Sequence, residues 1–204
     1  MDPQLIRVAF VLLPNSLALD WAGPAEALRI ANQVLHSQGQ PERFALEFVG
    51  PDPQAMSSVG LQLAGLQPLP TPPNQPQAPD PRPLWVVLIG MPGQRIPVDD
   101  APTQALLHWL RGLRLAAGQV ELVTICAGSV LAAHAGQLAG RRATTHHQHL
   151  EELQQVEPRC DVVANRVFVE DAPVYSSAGV TTGIDLVLHR ISALCGPALA
   201  AQVA

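Results

Sequence analysis

A chain of 204 residues, 48 % hydrophobic and 14 % charged, is long enough to bury one sizeable core and short for two domains. A formal net charge of −5 with no basic run excludes a surface that grips nucleic acid by neutralising phosphates. Asp20, Arg29 or a proline interrupts every apolar run, which excludes a membrane-spanning helix.

The opening "MDPQLIRVAFVLLP" has neither a basic stretch nor a small-residue cleavage site, so no signal peptide is expected. Its "IRVAFVLL" (6–13) is a continuous β-rich run, as expected of a parallel strand covered on both faces. "GPAEALRIANQVLHSQG" predicts a helix with Pro24 at its first position, a stripe of Ala27, Leu28, Ala31 and Leu35, and Gly39 as its stop. "FALEFVG" (44–50) is a second strand, and "SSVGLQLAGLQPL" holds one or two short ones. Residues 68–83 contain eight prolines and predict an extended surface loop, not a domain boundary.

"LWVVLIG" (84–90) is the next buried strand and ends in "GMPG". Residues 103–118 predict a helix with Leu106, Leu110, Leu113 and Ala117 on one face. "QVELVTI" (119–125) is a strand that gives way at Cys126 to the short helix "AGSVLAAHAG". Thr145 and Gln148 suit a capping box for another helix. Two or three short strands follow in "CDVVANRVFVEDAPVYSSAG". "TTGIDLVLHRISALCG" predicts a last helix, capped by Thr181 or Thr182 and stopped by Gly196. This alternation predicts an α/β fold, a doubly wound, mostly parallel sheet with helices on both faces.

Ligands of such sheets sit beyond the carboxyl ends of the strands. Three of those ends carry candidate groups: Asp20 after the first strand, the Gly90–Met91 turn after the third buried one, and Cys126–Ala127 after the fourth. A side chain at a sharp strand-to-helix turn stands above the sheet, and a helix N-terminus favours thiolate. The N–H of Ala127, with one from the Gly90–Met91 turn, would hold a developing oxyanion, and Asp20 would exchange a proton with the sulfur. The plainer alternative is that Cys126 is a small buried apolar residue, the usual fate of a free cysteine. Cys160 and Cys195 suit structural roles, and the spacing of the three cysteines matches neither a disulfide framework nor a zinc site. A reduced, cytoplasmic compartment is the expectation.

The motifs "LDWAGPAEAL" (19–28), "TICAGSVLAAHAGQLAGRRATTHH" (124–147) and "SSAGVTTGIDLVL" (176–188) together resemble the ThiJ/PfpI superfamily, of the class-I glutamine-amidotransferase-like fold. The resemblance covers nearly the whole chain and implies a flavodoxin-like sheet. Two branches share these motifs: isocyanide hydratases, and the amino-terminal domains of AraC-type transcription regulators. The segment from Arg141 to Leu186 looks most like the regulators. That implies a single ligand-sensing, dimerising domain over 1–204, with DNA read by a carboxyl-terminal pair of helix-turn-helix motifs that would follow Ala204. The implied partners are a small molecule and a second copy, with DNA reached only through that further module and no membrane. No cofactor or metal is implied.

The enzyme alternative is a cysteine-dependent hydratase or hydrolase, with Cys126 attacking and Asp20 transferring protons. Proteolytic and glyoxalase-like branches place a histidine directly after the cysteine. Isocyanide hydratases place a threonine there, whereas this chain has Ala127. A third option is a redox sensor at Cys126.

His146, His147 and His149 suggest a metal cluster, but no further Cys or carboxylate stands at zinc-site spacing. A capped helix terminus near the pocket mouth is preferred, with His146 kept as a pocket donor because the resemblance places it near the cysteine. "SSAGVTTG" (176–183) suits either anion binding through backbone N–H groups or close packing and capping. Trp21 is expected at the pocket or a dimer contact, and Trp85 and Trp109 in the core.

Overall fold

The computed structural model describes residues 4–75 and 78–204. Its centre is a six-stranded sheet in the order β2-β1-β5-β6-β10-β9. These strands are β1 (Ile6–Val11), β2 (Phe44–Val49), β5 (Leu84–Leu88), β6 (Val120–Ile125), β10 (Val174–Ser177) and β9 (Phe168–Asp171). All neighbours run parallel except β9, which closes the edge antiparallel to β10. The continuous apolar runs follow from this layout: every residue of β1, β5 and β6 is buried, because helices cover both faces. Two ribbons stand apart, β3 (Gln54–Met56) with β4 (Gln62–Ala64), and β7 (Arg142–Ala143) with β8 (Asp161–Val162).

The helices are α1 (Ala18–Ser37), α2 (Ala101–Arg111), α3 (Gly128–His134), α4 (Leu150–Val156), α5 (Thr182–Cys195) and α6 (Pro197–Val203). Four sequence expectations are corrected. First, α1 begins at Ala18, so Pro24 lies inside it and Asp20 is in its first turn rather than before it. The start is set by tertiary contact: the Leu17 N–H donates to the Gly90 carbonyl at 2.9 Å, and no side chain caps the helix. Second, α2 runs from Ala101 to Arg111, with Asp100 as a true cap that accepts from the Thr103 N–H at 2.9 Å. Third, Thr145 and Gln148 do not form a capping box. The Thr145 hydroxyl donates to the Cys126 carbonyl at 2.8 Å, and His146 Nδ1 accepts from the Gln148 N–H at 3.4 Å. Fourth, neither Thr181 nor Thr182 caps α5 from its own N-cap position. Thr182 Oγ1 instead accepts from the Gly179 N–H at 2.6 Å.

The proline-rich segment is tied to the body through the Trp109 indole N–H, which donates to the Pro70 carbonyl at 3.1 Å. Trp85 is core, and Trp109 is half-buried against it. No helix among the described residues is long and apolar enough to cross a membrane.

Candidate functional site

β6 ends at Ile125, and the next residue turns sharply. Cys126 has φ 56°, in the left-handed region, which costs a side-chain-bearing residue about 1–3 kcal/mol. The surroundings fix it there. Its N–H donates to the Ser177 carbonyl at 3.1 Å, and its carbonyl accepts the Thr145 hydroxyl. Behind it a hydroxyl chain joins three elements. Thr124 Oγ1 and Ser129 Oγ lie 2.7 Å apart, Ser129 donates to the Thr144 carbonyl at 2.7 Å, and the Thr144 N–H donates to Ser176 Oγ at 2.9 Å.

Asp20 reaches the same point from α1, and both groups are closed off, Asp20 at 1 % exposure and Cys126 at 4 %. Two glycines make room for them. A Cβ on Gly90 would lie 2.7 Å from Cys126 Cβ and 2.8 Å from Asp20 Oδ2. One on Gly179 would lie 2.7 Å from the sulfur, at φ 100°. Gly90→Ala is therefore expected to lower the unfolding free energy by about 1–3 kcal/mol, the usual cost of overpacking. Urea denaturation checks it, and an unchanged midpoint would mean that the elbow yields freely.

Burial pushes the Asp20 carboxyl up to about 6, against the pull of the Gly90 and Val180 N–H groups and of the Cys126 thiol. These groups surround the carboxyl, yet neither of its oxygens receives a well-formed hydrogen bond. Burial first, and then the Asp20 charge, pushes the Cys126 thiol up to about 12, while the Ala127 and Val180 N–H groups pull it down. The expectation that the helix start stabilises thiolate is therefore outweighed. α3 is seven residues long, and desolvation of the sulfur wins. Burial and the Asp20 charge thus both favour the protonated thiol.

The fold thus gathers Asp20, Gly90, Cys126 and Ala127, with Met91 buried next in chain. His146 follows Thr145, whose hydroxyl donates to the Cys126 carbonyl. Its ring lies 4.2 Å from that of His147 and 6.2 Å from that of His149, and burial lowers its pKa. His149 is engaged elsewhere, with Nδ1 2.7 Å from Glu152 Oε2, while Glu152 Oε1 accepts the Ile96 N–H at 2.9 Å. Among the described residues no three His, Cys, Asp or Glu side chains converge as a metal site.

Room for a ligand lies beside the elbow. A cavity of about 270 Å³ is lined by Thr144, Thr145, His147, Asn165, Arg166 and Thr182, among others. Asn165 and Arg166 were missed from sequence. The signal available was the turn between two strands, where Asn165 takes φ 57°. Gly179 and Val180 belong to the "SSAGVTTG" run, which suited either anion binding or close packing, and they complete the cradle of the thiol. Trp21 lines a separate apolar cavity of about 330 Å³ with Leu12, Phe48 and Leu63.

The comparisons agree with this fold. The HTH-type transcriptional regulator CdhR of Pseudomonas aeruginosa is 34 % identical over 197 residues, 95 % of this chain and 52 % of the regulator. The chain thus spans about half that relative's length. An isonitrile hydratase of Pseudomonas putida is 31 % identical across 94 % of this chain and 73 % of the enzyme. The crystal structure of an AraC family transcriptional regulator from Pseudomonas putida superposes with a TM-score of 0.75 at 20 % identity, covering 97 % of each chain. Residues 80–193, from β5 through the Cys126 elbow and most of α5, match the model of the DJ-1/PfpI family. The chain that builds this elbow belongs to the DJ-1/PfpI family.

Proposed function

We propose that this chain is the ligand-sensing and dimerising domain of an AraC-type transcriptional regulator. One observation carries the reading: nearly the whole chain aligns with about half of a helix-turn-helix regulator. The acidic balance fits a piece that leaves DNA to another module. A small metabolite in the cavity beside Cys126 would favour one arrangement of the paired domains over another, and so bias how the DNA-reading helices are presented. Such a regulator works in the cytoplasm.

The test is to read the natural gene past the codon for Ala204. Two helix-turn-helix patterns with a basic balance within about a hundred further residues are expected. A frame that stops within a few codons overturns the reading.

A second reading is favoured by the Asp20 carboxyl set against the Cys126 thiol, and by the likeness to isonitrile hydratase. In it Cys126 would attack a small electrophile and Asp20 would transfer protons. The protonated thiol, and Ala127 in place of a hydroxyl-bearing residue, weigh against turnover. Isocyanide hydration that is absent from the parent chain, or equal in Cys126→Ala, removes it.

A further inference from the structure

At the end of the sheet opposite Cys126, where β1, β5 and β6 begin, two cavities of about 160 and 340 Å³ adjoin through Gln4, Pro83 and Gly118. Arg43, Arg190, Glu121 and Trp85 wall the smaller, deeper one, and proline rings of the 68–83 segment wall the outer one. The deep walls hold two guanidiniums and one carboxylate. Glu121 is already engaged: it accepts from Arg190 Nη2 at 2.5 Å, the Gly118 N–H at 3.0 Å and the Tyr175 hydroxyl at 3.5 Å.

The guanidiniums, by contrast, are short of acceptors. The Arg190 side chain is only 8 % exposed, yet its Nε has no partner among the described residues, and its Nη1 stands 4.0 Å from Glu170 Oε1. Arg43 donates to the Gln4 carbonyl and also has an unpartnered Nε. Glu121, with Glu170 4.0 Å away, balances Arg190, whereas among the described residues no carboxylate pairs with Arg43, whose guanidinium lies beside the Cys195 thiol.

We propose that this cleft binds a small organic monoanion, a carboxylate carried on a flat apolar body. The carboxylate supplies the acceptors that Arg43 and Arg190 lack, in the paired geometry that guanidinium favours. The rings of Pro73, Pro81 and Pro83 take the apolar body, with the buried edge of Trp85 behind the guanidiniums. Leu194, in the last turn of α5, also lines the deep end. Two residues on, Gly196, at φ 92°, turns the chain into α6 and toward Ala204. Occupancy therefore bears on the helices from which any following segment departs. That consequence rests on the regulator reading, and the binding itself does not.

Calorimetric titration of the chain with benzoate and with its uncharged counterpart benzamide tests the site. Benzoate is expected to bind saturably at one site, with benzamide about tenfold weaker or worse, since hydrogen bonds to a charged group are worth about that factor. Arg43→Gln, at a half-buried position, is expected to cost benzoate about tenfold, to leave benzamide unchanged and to keep the circular dichroism of the parent. Arg43→Lys should recover part of the loss. Absence of saturable benzoate binding, equal binding of the two compounds, or unchanged affinity in Arg43→Gln overturns the proposal. Each of these leaves the regulator reading standing, because the reading frame past Ala204 decides that separately.

Discussion

Replacing Glu121 by alanine is expected to lower the unfolding free energy by about 3–5 kcal/mol, the cost of leaving a buried charge without its partner. Glu121 lies in β6, one of the two middle strands, and Arg190 in α5, and both are under a tenth exposed. Their contact at 2.5 Å is the guanidinium's shortest ionic contact, Glu170 standing off at 4.0 Å and half exposed, and the same guanidinium rests 3.8 Å above the centre of the Tyr175 ring. Without the carboxylate, Arg190 keeps its charge in a site it cannot leave. The Gly118 N–H and the Tyr175 hydroxyl lose an acceptor as well.

The pair need not be a net source of stability, since desolvating both charges offsets much of their attraction. The double variant Glu121→Leu with Arg190→Leu should therefore recover most of what the single change loses. Urea titrations of the two single variants and the double variant give the comparison. A loss below about 1 kcal/mol in Glu121→Ala would show that water reaches Arg190, and would remove the premise of the buried pair.

Nothing in "QVELVTI" marks Glu121 as half of a pair, because its partner lies 69 residues on in another element. That divides what the sequence discloses from what it does not. β1, β5 and β6 were legible because burial on both faces leaves an unbroken apolar run. α5 was legible from the apolar stripe of Ile184, Val187, Leu188 and Ile191 and from Gly196. The start of α1 was not, since it is set by the Gly90 carbonyl and not by a local cap, and Pro24 suggested a later beginning.

The two-residue strands β7 and β8 are too short to show a period, and α6 is a seven-residue stretch after the obvious stop. At the site, Asp20, Gly90 and Cys126 were singled out because each lies in the segment that follows a buried strand. The gathering of the three follows from the order in which β1, β5 and β6 lie side by side. Gly179 and Arg166 enter through the return of the chain over β9 and β10, which no local pattern encodes.

Asp20→Asn is expected to make the protein more stable at pH 7.5, by about 3 kcal/mol, and to flatten its pH dependence. The sign follows from linkage. The carboxyl titrates near 3.8 in the unfolded chain and at about 6 in the fold, so the native state binds the extra proton between those values. The stabilising contribution of protonated Asp20 is complete below about 3.8 and is lost as the pH rises through 6. Two pKa units at 1.36 kcal/mol each set the scale of that loss.

Asparagine has the shape of the protonated acid and carries no charge at any pH, so it escapes the loss. The gap between variant and parent should grow by about 2 kcal/mol from pH 4.5 to pH 7.5, as read from urea midpoints at each pH. A constant gap, or a less stable variant at pH 7.5, would mean that Asp20 is solvated well enough to ionise freely in the fold. The thiol supplies an independent check. The Asp20 charge helps to hold Cys126 in its protonated form, so its alkylation by iodoacetamide at pH 8 should quicken in Asp20→Asn. A slower reaction would mean that Asp20 draws the proton from sulfur, as the hydratase reading requires. A faster one leaves a carboxyl that weakens the fold without activating the cysteine, which suits a pocket built to change when something binds.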